Sequence, residues 1–286
     1  MSRPITAQLV GGLGNQLFTY YAAAALATKW GVPLRIDATR ASHGVSAEVF
    51  DLPGDWSQTL EDEESRGWHY GLGPRLTRRI TRTVPALGGM FRYYESIDPG
   101  EDPRLLDQPP GTTIRGYFQS WRTVETAYKF GARRELVLRS PSDWLVDTRM
   151  RAATESPIAL HVRRGDYASS DVFGLLSSDY YGDALKRLRQ EGLHGPVWLF
   201  SDDLDAAVDL IDEPFEVMRS PIGPQEELLA MSQAAAFVTA NSSFSWWGAW
   251  LSGSRHVLAP GQWFKESPEP AGLVPPWWTR ISPHWA

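Results

Sequence analysis

Arg163 and Arg164 stand side by side at the end of an apolar run, with His161 two residues before the first and Asp166 two residues after the second. Guanidinium groups match phosphate oxygens bidentately and keep their charge in a cleft. A diphosphate leaving group needs that neutralisation as a sugar–phosphate bond breaks. The plainer alternative is an ion pair with a carboxylate such as Asp166. A second polar cluster, Ser201-Asp202-Asp203, closes another apolar run, and a third, Asn241-Ser242-Ser243, opens a helical stretch. The N–H groups and positive dipole end of a helix favour a phosphate, with serine hydroxyls adding donors. Plain N-capping by Asn241 or Ser242 explains the same residues.

Near the N-terminus, Gly11-Gly12-Leu13-Gly14-Asn15-Gln16 makes a glycine turn where backbone can approach a ligand closely. It departs from the dinucleotide fingerprint, because Leu17 stands where the third glycine belongs. Asp37, about 20 residues on, imitates the ribose-binding acid of that fingerprint. An NAD-dependent oxidoreductase is therefore one alternative reading. Asp203-Leu204-Asp205 imitates a metal-binding Asp-x-Asp, but acids at a helix start are favoured by the dipole anyway. No His, Asp or Glu set shows metal-ligand spacing, and His69, His194, His256 and His284 are isolated. No metal or cofactor is expected.

The elements that must position these groups follow from periodicity. The spacing predicts a strand over 6–11, a helix over 15–30 ended by Gly31, and a strand over 32–37, which is a βαβ opening. Residues 40–110 are irregular, with an acidic run (61–64), a basic stretch (75–82) and aromatics at Trp56, Trp68, Tyr70, Phe91, Tyr93 and Tyr94 that predict packed, substrate-specific structure. A strand is expected over 112–118. The segment 141–157 reads as the passage between halves. Strands are then expected at 157–163, 197–201, 215–219, 236–240 and 256–259, with helices at 180–190, 204–211, 225–234 and 242–251. Alternating strands and helices imply parallel sheets covered on both faces. The expectation is an α/β chain of two Rossmann-like domains, 1–155 and 156–286, facing across a cleft. In such sheets ligands sit at the carboxyl ends of strands, where the three polar clusters fall.

Composition narrows the partners. The chain of 286 residues carries a net charge of −6, so a basic field for nucleic acid is absent and an anionic ligand must be held by a local arginine cluster. It has no cysteine, which excludes disulfides and thiolate metal sites. The N-terminus lacks the apolar region of a signal peptide, and no run approaches the roughly 20 apolar residues of a membrane span. A cytoplasmic chain is expected. Thirteen tryptophans suit either core packing or sugar binding. A non-catalytic carbohydrate-binding module is thus a further alternative, although a formed phosphate site would be pointless in one. Trp246 and Trp250 share a helix face that reads as core.

Four segments taken together resemble glycosyltransferase family 11, the α-1,2-fucosyltransferases. They are Gly11-Gly12-Leu13-Gly14-Asn15-Gln16-Leu17-Phe18, His161-Val162-Arg163-Arg164-Gly165-Asp166-Tyr167, Phe200-Ser201-Asp202-Asp203 and Asn241-Ser242-Ser243-Phe244-Ser245-Trp246-Trp247-Gly248-Ala249-Trp250-Leu251. Gly116-Tyr117-Phe118-Gln119-Ser120 and Pro260-Gly261-Gln262-Trp263-Phe264 are similar as well. The resemblance implies a GT-B architecture and metal-independent, inverting transfer from GDP-β-L-fucose to O2 of a β-galactoside. It places the donor site in the second half, lined by His161, Arg163, Arg164, Asp166 and the turn Asn241, Ser242, Ser243, with Gly14, Asn15 and Gln16 facing it from the first. Ser201, Asp202 and Asp203 join it at the same sheet edge. Glu227 stands nearest the place of a family aspartate. Bacterial relatives often build O-antigen or capsule units, which implies a galactose-containing glycan acceptor and peripheral association with lipid-linked glycans. The first half, including 40–110, is expected to select the acceptor. Asp166 and Asp37 are the candidate bases for the acceptor hydroxyl, and Asp166 is equally a strut orienting the arginines. A fucosyltransferase of α-1,6 or protein O-linked specificity shares the arginine pair but not the Asn-Ser-Ser-Phe-Ser-Trp-Trp helix.

Overall fold

The computed structural model describes residues 2–39, 47–56, 92–96, 98–169 and 172–286. The acidic and basic runs at 61–64 and 75–82, with Trp68, Tyr70 and Phe91, lie outside the described residues. The chain divides into two compact units, one running to Leu138 and including Pro270–Leu273, the other formed by Arg139–Glu269 and Val274–Ala286.

The first unit is built on a parallel sheet of β1 (Ile5–Gln8), β2 (Leu34–Asp37), β3 (Tyr93–Glu95) and β4 (Thr113–Arg115), ordered β2-β1-β4-β3. Between β1 and β2 runs α1 (Leu13–Trp30), which ends where Gly31 takes φ 61°. Most of α1 is buried, from Leu17 through Ala27, so its apolar residues are not confined to one stripe. The small Ala22–Ala27 side let it approach β1 and α2 (Trp121–Lys129) closely. Trp56 stacks on Tyr20 of α1 at 6.0 Å between ring centroids. The chain leaves β1 towards β2 and returns on the other side through β3 and β4. Its direction therefore reverses between β1 and β4.

The second unit holds a six-stranded parallel sheet: β5 (Ile158–Val162), β6 (Val197–Ser201), β7 (Phe215–Val217), β8 (Ala236–Val238), β9 (His256–Pro260) and β10 (Thr279–Ile281), ordered β10-β9-β8-β5-β6-β7. Its helices are α3 (Asp143–Glu155), α4 (Ser178–Gln190), α5 (Leu204–Val208), α6 (Pro224–Met231) and α7 (Ser243–Ser252). The segment expected to be a passage, 141–157, is mostly helix α3, and it belongs to the second unit. Ser142 caps it by accepting from the Leu145 amide at 3.4 Å. The division therefore falls after Leu138, whereas a boundary at 155/156 was expected from sequence.

Ile158, Leu160 and Val162 of β5 bury into one core with Tyr180, Tyr181, Ala184 and Leu188 of α4. The intervening His161 turns to the other side, beside Phe244 of α7. Trp246 is fully buried and stacks on Trp250 at 5.0 Å, so that helix face is core, as its spacing predicts. From β5 the chain proceeds to β6 and β7, then crosses back to β8, β9 and β10. The reversal between β5 and β8 leaves the loops at their carboxyl ends diverging, which opens the crevice where α/β sheets bind ligands.

Candidate active site

Alternation along β5 continues past its last residue and decides the fate of the two arginines. Arg164 follows Leu160 and Val162 to the core side and is only 6% exposed. Its Nη2 donates to the Leu176 carbonyl at 2.7 Å, and its backbone N–H donates to Asp202 Oδ1 at 2.9 Å. The ion pair with Asp166 that the sequence offers the arginines goes to Arg163, and Arg164 is a buried brace instead. An unpaired buried charge is costly, but a carbonyl 12 residues downstream supplies the partner.

Arg163 follows His161 to the opposite side and reaches the edge. Its Nη2 meets Asp166 Oδ1 at 2.6 Å and its Nη1 meets Asp202 Oδ2 at 3.2 Å. Its guanidinium lies over the Tyr167 ring, 5.3 Å from the centroid. Gly165 permits the tight turn, because a Cβ there would fall 2.2 Å from Asp202 Oδ2. Two buried polar atoms here, Arg163 Nε and His161 Nδ1, have no hydrogen-bond partner among the described residues. Burial, with Arg163 as a second cause, pushes the His161 pKa down to about 3. The imidazole is therefore neutral near pH 7 and does not compete with Arg163 for an anion.

The other expected residues separate into those that reach this edge and those that brace it. Asp202 joins both arginines and is a central strut. Ser201 and Asp203 close a local turn, Ser201 Oγ donating to the Asp203 carbonyl at 2.9 Å. Asp203 also caps α5 by accepting from the Ala206 amide at 3.2 Å, as the helix-start reading of Asp203-Leu204-Asp205 requires. Among the described residues no three His, Asp or Glu side chains gather as a metal-ligand set. Asn241 is buried, and its Nδ2 donates to the carbonyls of Phe173 at 2.9 Å and Trp263 at 3.2 Å. Its side chain thus holds loops together instead of facing a ligand, and its own carbonyl accepts from Tyr167 at 3.1 Å. Ser242 takes the N-cap place of α7 without a side-chain capping bond. Ser245 Oγ instead accepts from the Ala240 amide at 3.0 Å. Ser243 opens the helix, whose first-turn amides have no intrahelical acceptor.

Glu227 is partly buried and accepts from the Ser220 amide at 3.2 Å. Burial raises its pKa. Its neighbour Glu226, which sequence reasoning passed over, is fully buried and takes hydrogen bonds from Ser142 N at 2.7 Å and Ser220 Oγ at 2.6 Å. Sequence reasoning also missed the stack of Tyr167 on Phe173, 4.3 Å apart, which backs Arg163. Tyr167 belongs to the arginine segment and could have been found there. Phe173 carries no signal.

In the first unit, Gln16 is buried, with Nε2 donating to the Gly11 carbonyl at 3.0 Å and Oε1 accepting from the Ala47 amide at 2.9 Å. It braces the glycine turn, and Gly14 is buried beside it. Asn15 is partly exposed and accepts from Gln119 Nε2 at 2.8 Å. Asp37 is held by Gln8 Nε2 at 3.0 Å and by the Thr39 amide at 3.0 Å.

A family model, Glycosyl transferase family 11, matches residues 103–269. The alpha-1,2-colitosyltransferase of Escherichia coli is 34% identical over 298 aligned positions, covering 97% of this chain and 98% of its own length. The chain belongs to glycosyl transferase family 11. The O-antigen biosynthesis glycosyltransferase WbnK of E. coli is 33% identical over 116 residues, 37% of this chain and 38% of its own. Among solved structures, the NodZ alpha-1,6-fucosyltransferase from Bradyrhizobium aligns over 87% of this chain and 92% of its own, at 16% identity and TM-score 0.50. Arabidopsis thaliana FUT1 aligns over 90% of this chain and 70% of its own, at 13% identity and TM-score 0.52. At such identities these two speak to the fold alone. They agree with a GT-B-type chain of two parallel α/β units. No described helix is long and apolar enough to cross a membrane.

Proposed function

We propose that this family 11 glycosyltransferase moves L-fucose from GDP-β-L-fucose to O2 of a β-galactoside, with inversion and without a metal. The observation that carries the reading is the position of Arg163. It stands at the β5/β8 reversal with an unpartnered Nε–H, over the ring of Tyr167, whose hydroxyl donates to the carbonyl of Asn241 just ahead of α7. A guanidinium fork and a helix N-terminus at one edge suit a diphosphate, and they supply positive charge without an ion.

The reaction is a single displacement. The acceptor oxygen bonds to the anomeric carbon as the bond from that carbon to the diphosphate oxygen breaks, and the acceptor proton passes to a base. Arg163 and the α7 amides stabilise the negative charge that grows on GDP. Neutral His161 adds a hydrogen-bonding atom beside them. Asp166 is the base in this scheme. It is 54% exposed and lies at Arg163, whereas Asp37 is tied up by Gln8 and Thr39.

A second donor is favoured by the 34% identical relative, whose name specifies colitose. Colitose is L-fucose without the 3-hydroxyl, so the same site chemistry serves both. The test is a transfer assay with GDP-L-fucose and GDP-L-colitose on a galactoside array, reading product linkage by NMR, with and without EDTA. The expected product is an α-1,2-fucoside formed equally well under chelation. Transfer from the colitose donor alone would replace the donor. Activity lost with EDTA and restored by Mn²⁺ would overturn metal independence.

A further inference from the structure

The segment Gly116-Tyr117-Phe118-Gln119-Ser120 has no part in the donor chemistry, yet it follows β4 at the reversal of the first unit's sheet. There the chain is bent sharply. Gly116 has φ 149° and Phe118, a non-glycine residue, has φ 48°. A Cβ at Gly116 would fall 2.9 Å from the Ser96 Cβ, so only glycine fits. Left-handed backbone at a bulky residue costs free energy and persists where the surroundings enforce it. Here the Thr19 hydroxyl, donating to the Gly116 carbonyl at 2.8 Å, and the fully buried Phe118 ring enforce it. The consequence is that Tyr117 turns outward with 43% of its surface exposed, while both neighbours are buried.

Beside it, the Gln119 amide is fixed by Asn15 at 2.8 Å, and the Gln119 backbone N–H by the Pro99 carbonyl at 2.5 Å. An exposed aromatic face next to an immobilised amide is the pairing that recognises a pyranose. The ring covers the sugar's C–H face and the amide reads a hydroxyl.

We propose that Tyr117 and Gln119 form a neutral glycan subsite at the carboxyl edge of the first unit, with Tyr117 stacking on the acceptor's galactose ring and Asn15 positioning Gln119. The acceptor class rests on the function proposed above. The experiment pairs Tyr117→Ala with Tyr117→Phe. It measures acceptor KM, GDP affinity, and binding of methyl β-D-galactoside by saturation-transfer NMR without donor. Loss of the stacking face should raise acceptor KM about tenfold in the alanine variant, while the phenylalanine variant stays near wild type. GDP affinity should be unchanged in both. An unchanged acceptor KM in Tyr117→Ala would overturn the subsite, as would a parallel loss of GDP affinity. So would absence of galactoside binding by the wild-type chain. Galactoside binding present in wild type and lost in Tyr117→Ala, with wild type transferring no sugar, would support the subsite and count against the proposed reaction instead.

Discussion

The two sheet edges, one in each unit, both lie where a parallel sheet reverses its strand order, and they carry different side chains. At the first, between β1 and β4, Asp37 accepts from the Gln8 side chain and the Thr39 amide, and Asn15 accepts from the Gln119 amide. At the second, between β5 and β8, Arg163 is held by two carboxylates, with a neutral histidine alongside. A strand reversal supplies a crevice in either case, but the side chains at the strand ends choose the ligand. On the proposed function the first takes an uncharged glycan and the second an anion. Within the second edge the same contrast recurs between adjacent residues, because alternation sends Arg163 to the ligand side and Arg164 to the core.

The largest effect that would sharpen this contrast is on turnover. Arg163→Lys should lower kcat by roughly 10²–10³, as for loss of one donor to a developing oxyanion, since a point charge cannot replace the fork. Its melting temperature should stay near wild type, because Arg163 is partly exposed. A variant with kcat within a factor of a few of wild type would break the assignment of the second edge to the diphosphate.

A smaller effect concerns acid stability. The folded His161 pKa lies near 3, below its unfolded value of about 6.5. Between those values the unfolded chain binds a proton that the folded chain refuses, so stability falls as pH drops through this window and is insensitive to His161 above it. His161→Gln should reduce the pH dependence of unfolding free energy between pH 6 and 4 by up to about 1.4 kcal/mol per pH unit, measured by urea titration. An unchanged slope would show that the imidazole is hydrated and charged in the fold.

The smallest expected effect is on Arg164. Arg164→Lys should cost about 1–3 kcal/mol of stability through the weakened bond to the Leu176 carbonyl, seen as a melting temperature lower by several degrees. Its kcat at low temperature should remain close to wild type. Damage to turnover without loss of stability would make the two arginines functionally alike and erase the contrast between them.

The regular part of the chain was legible because its boundaries are local. Strand β6 occupies the expected 197–201, set off by Pro196 before it and the Asp202-Asp203 turn after it. The Asp203 cap and the Trp246–Trp250 face are likewise local, the one a matter of the next helical turn and the other of i, i+4 spacing. What was missed depends on partners distant in sequence. Arg164 could not be placed without the Leu176 carbonyl, nor Asn241 without Phe173 and Trp263, since an asparagine at a helix start serves a ligand or a loop equally well. Helix α3 was read as a passage because its amphipathic pattern is weak and prolines flank it, although Ser142 was a legible cap. At Gly116-Tyr117-Phe118-Gln119 the motif was visible. The outward turn of Tyr117 was not, because it depends on Thr19 and Ser96.

Calorimetric titration of GDP tests the central claim most directly, in EDTA and below the melting temperature of every variant, against wild type, Arg163→Lys and Arg164→Lys. If Arg163 grips the diphosphate and Arg164 only supports the turn, GDP affinity should fall by about tenfold or more in Arg163→Lys and stay within about twofold in Arg164→Lys. The reverse order, or wild-type chain that binds no GDP until a divalent cation is added, would contradict the account.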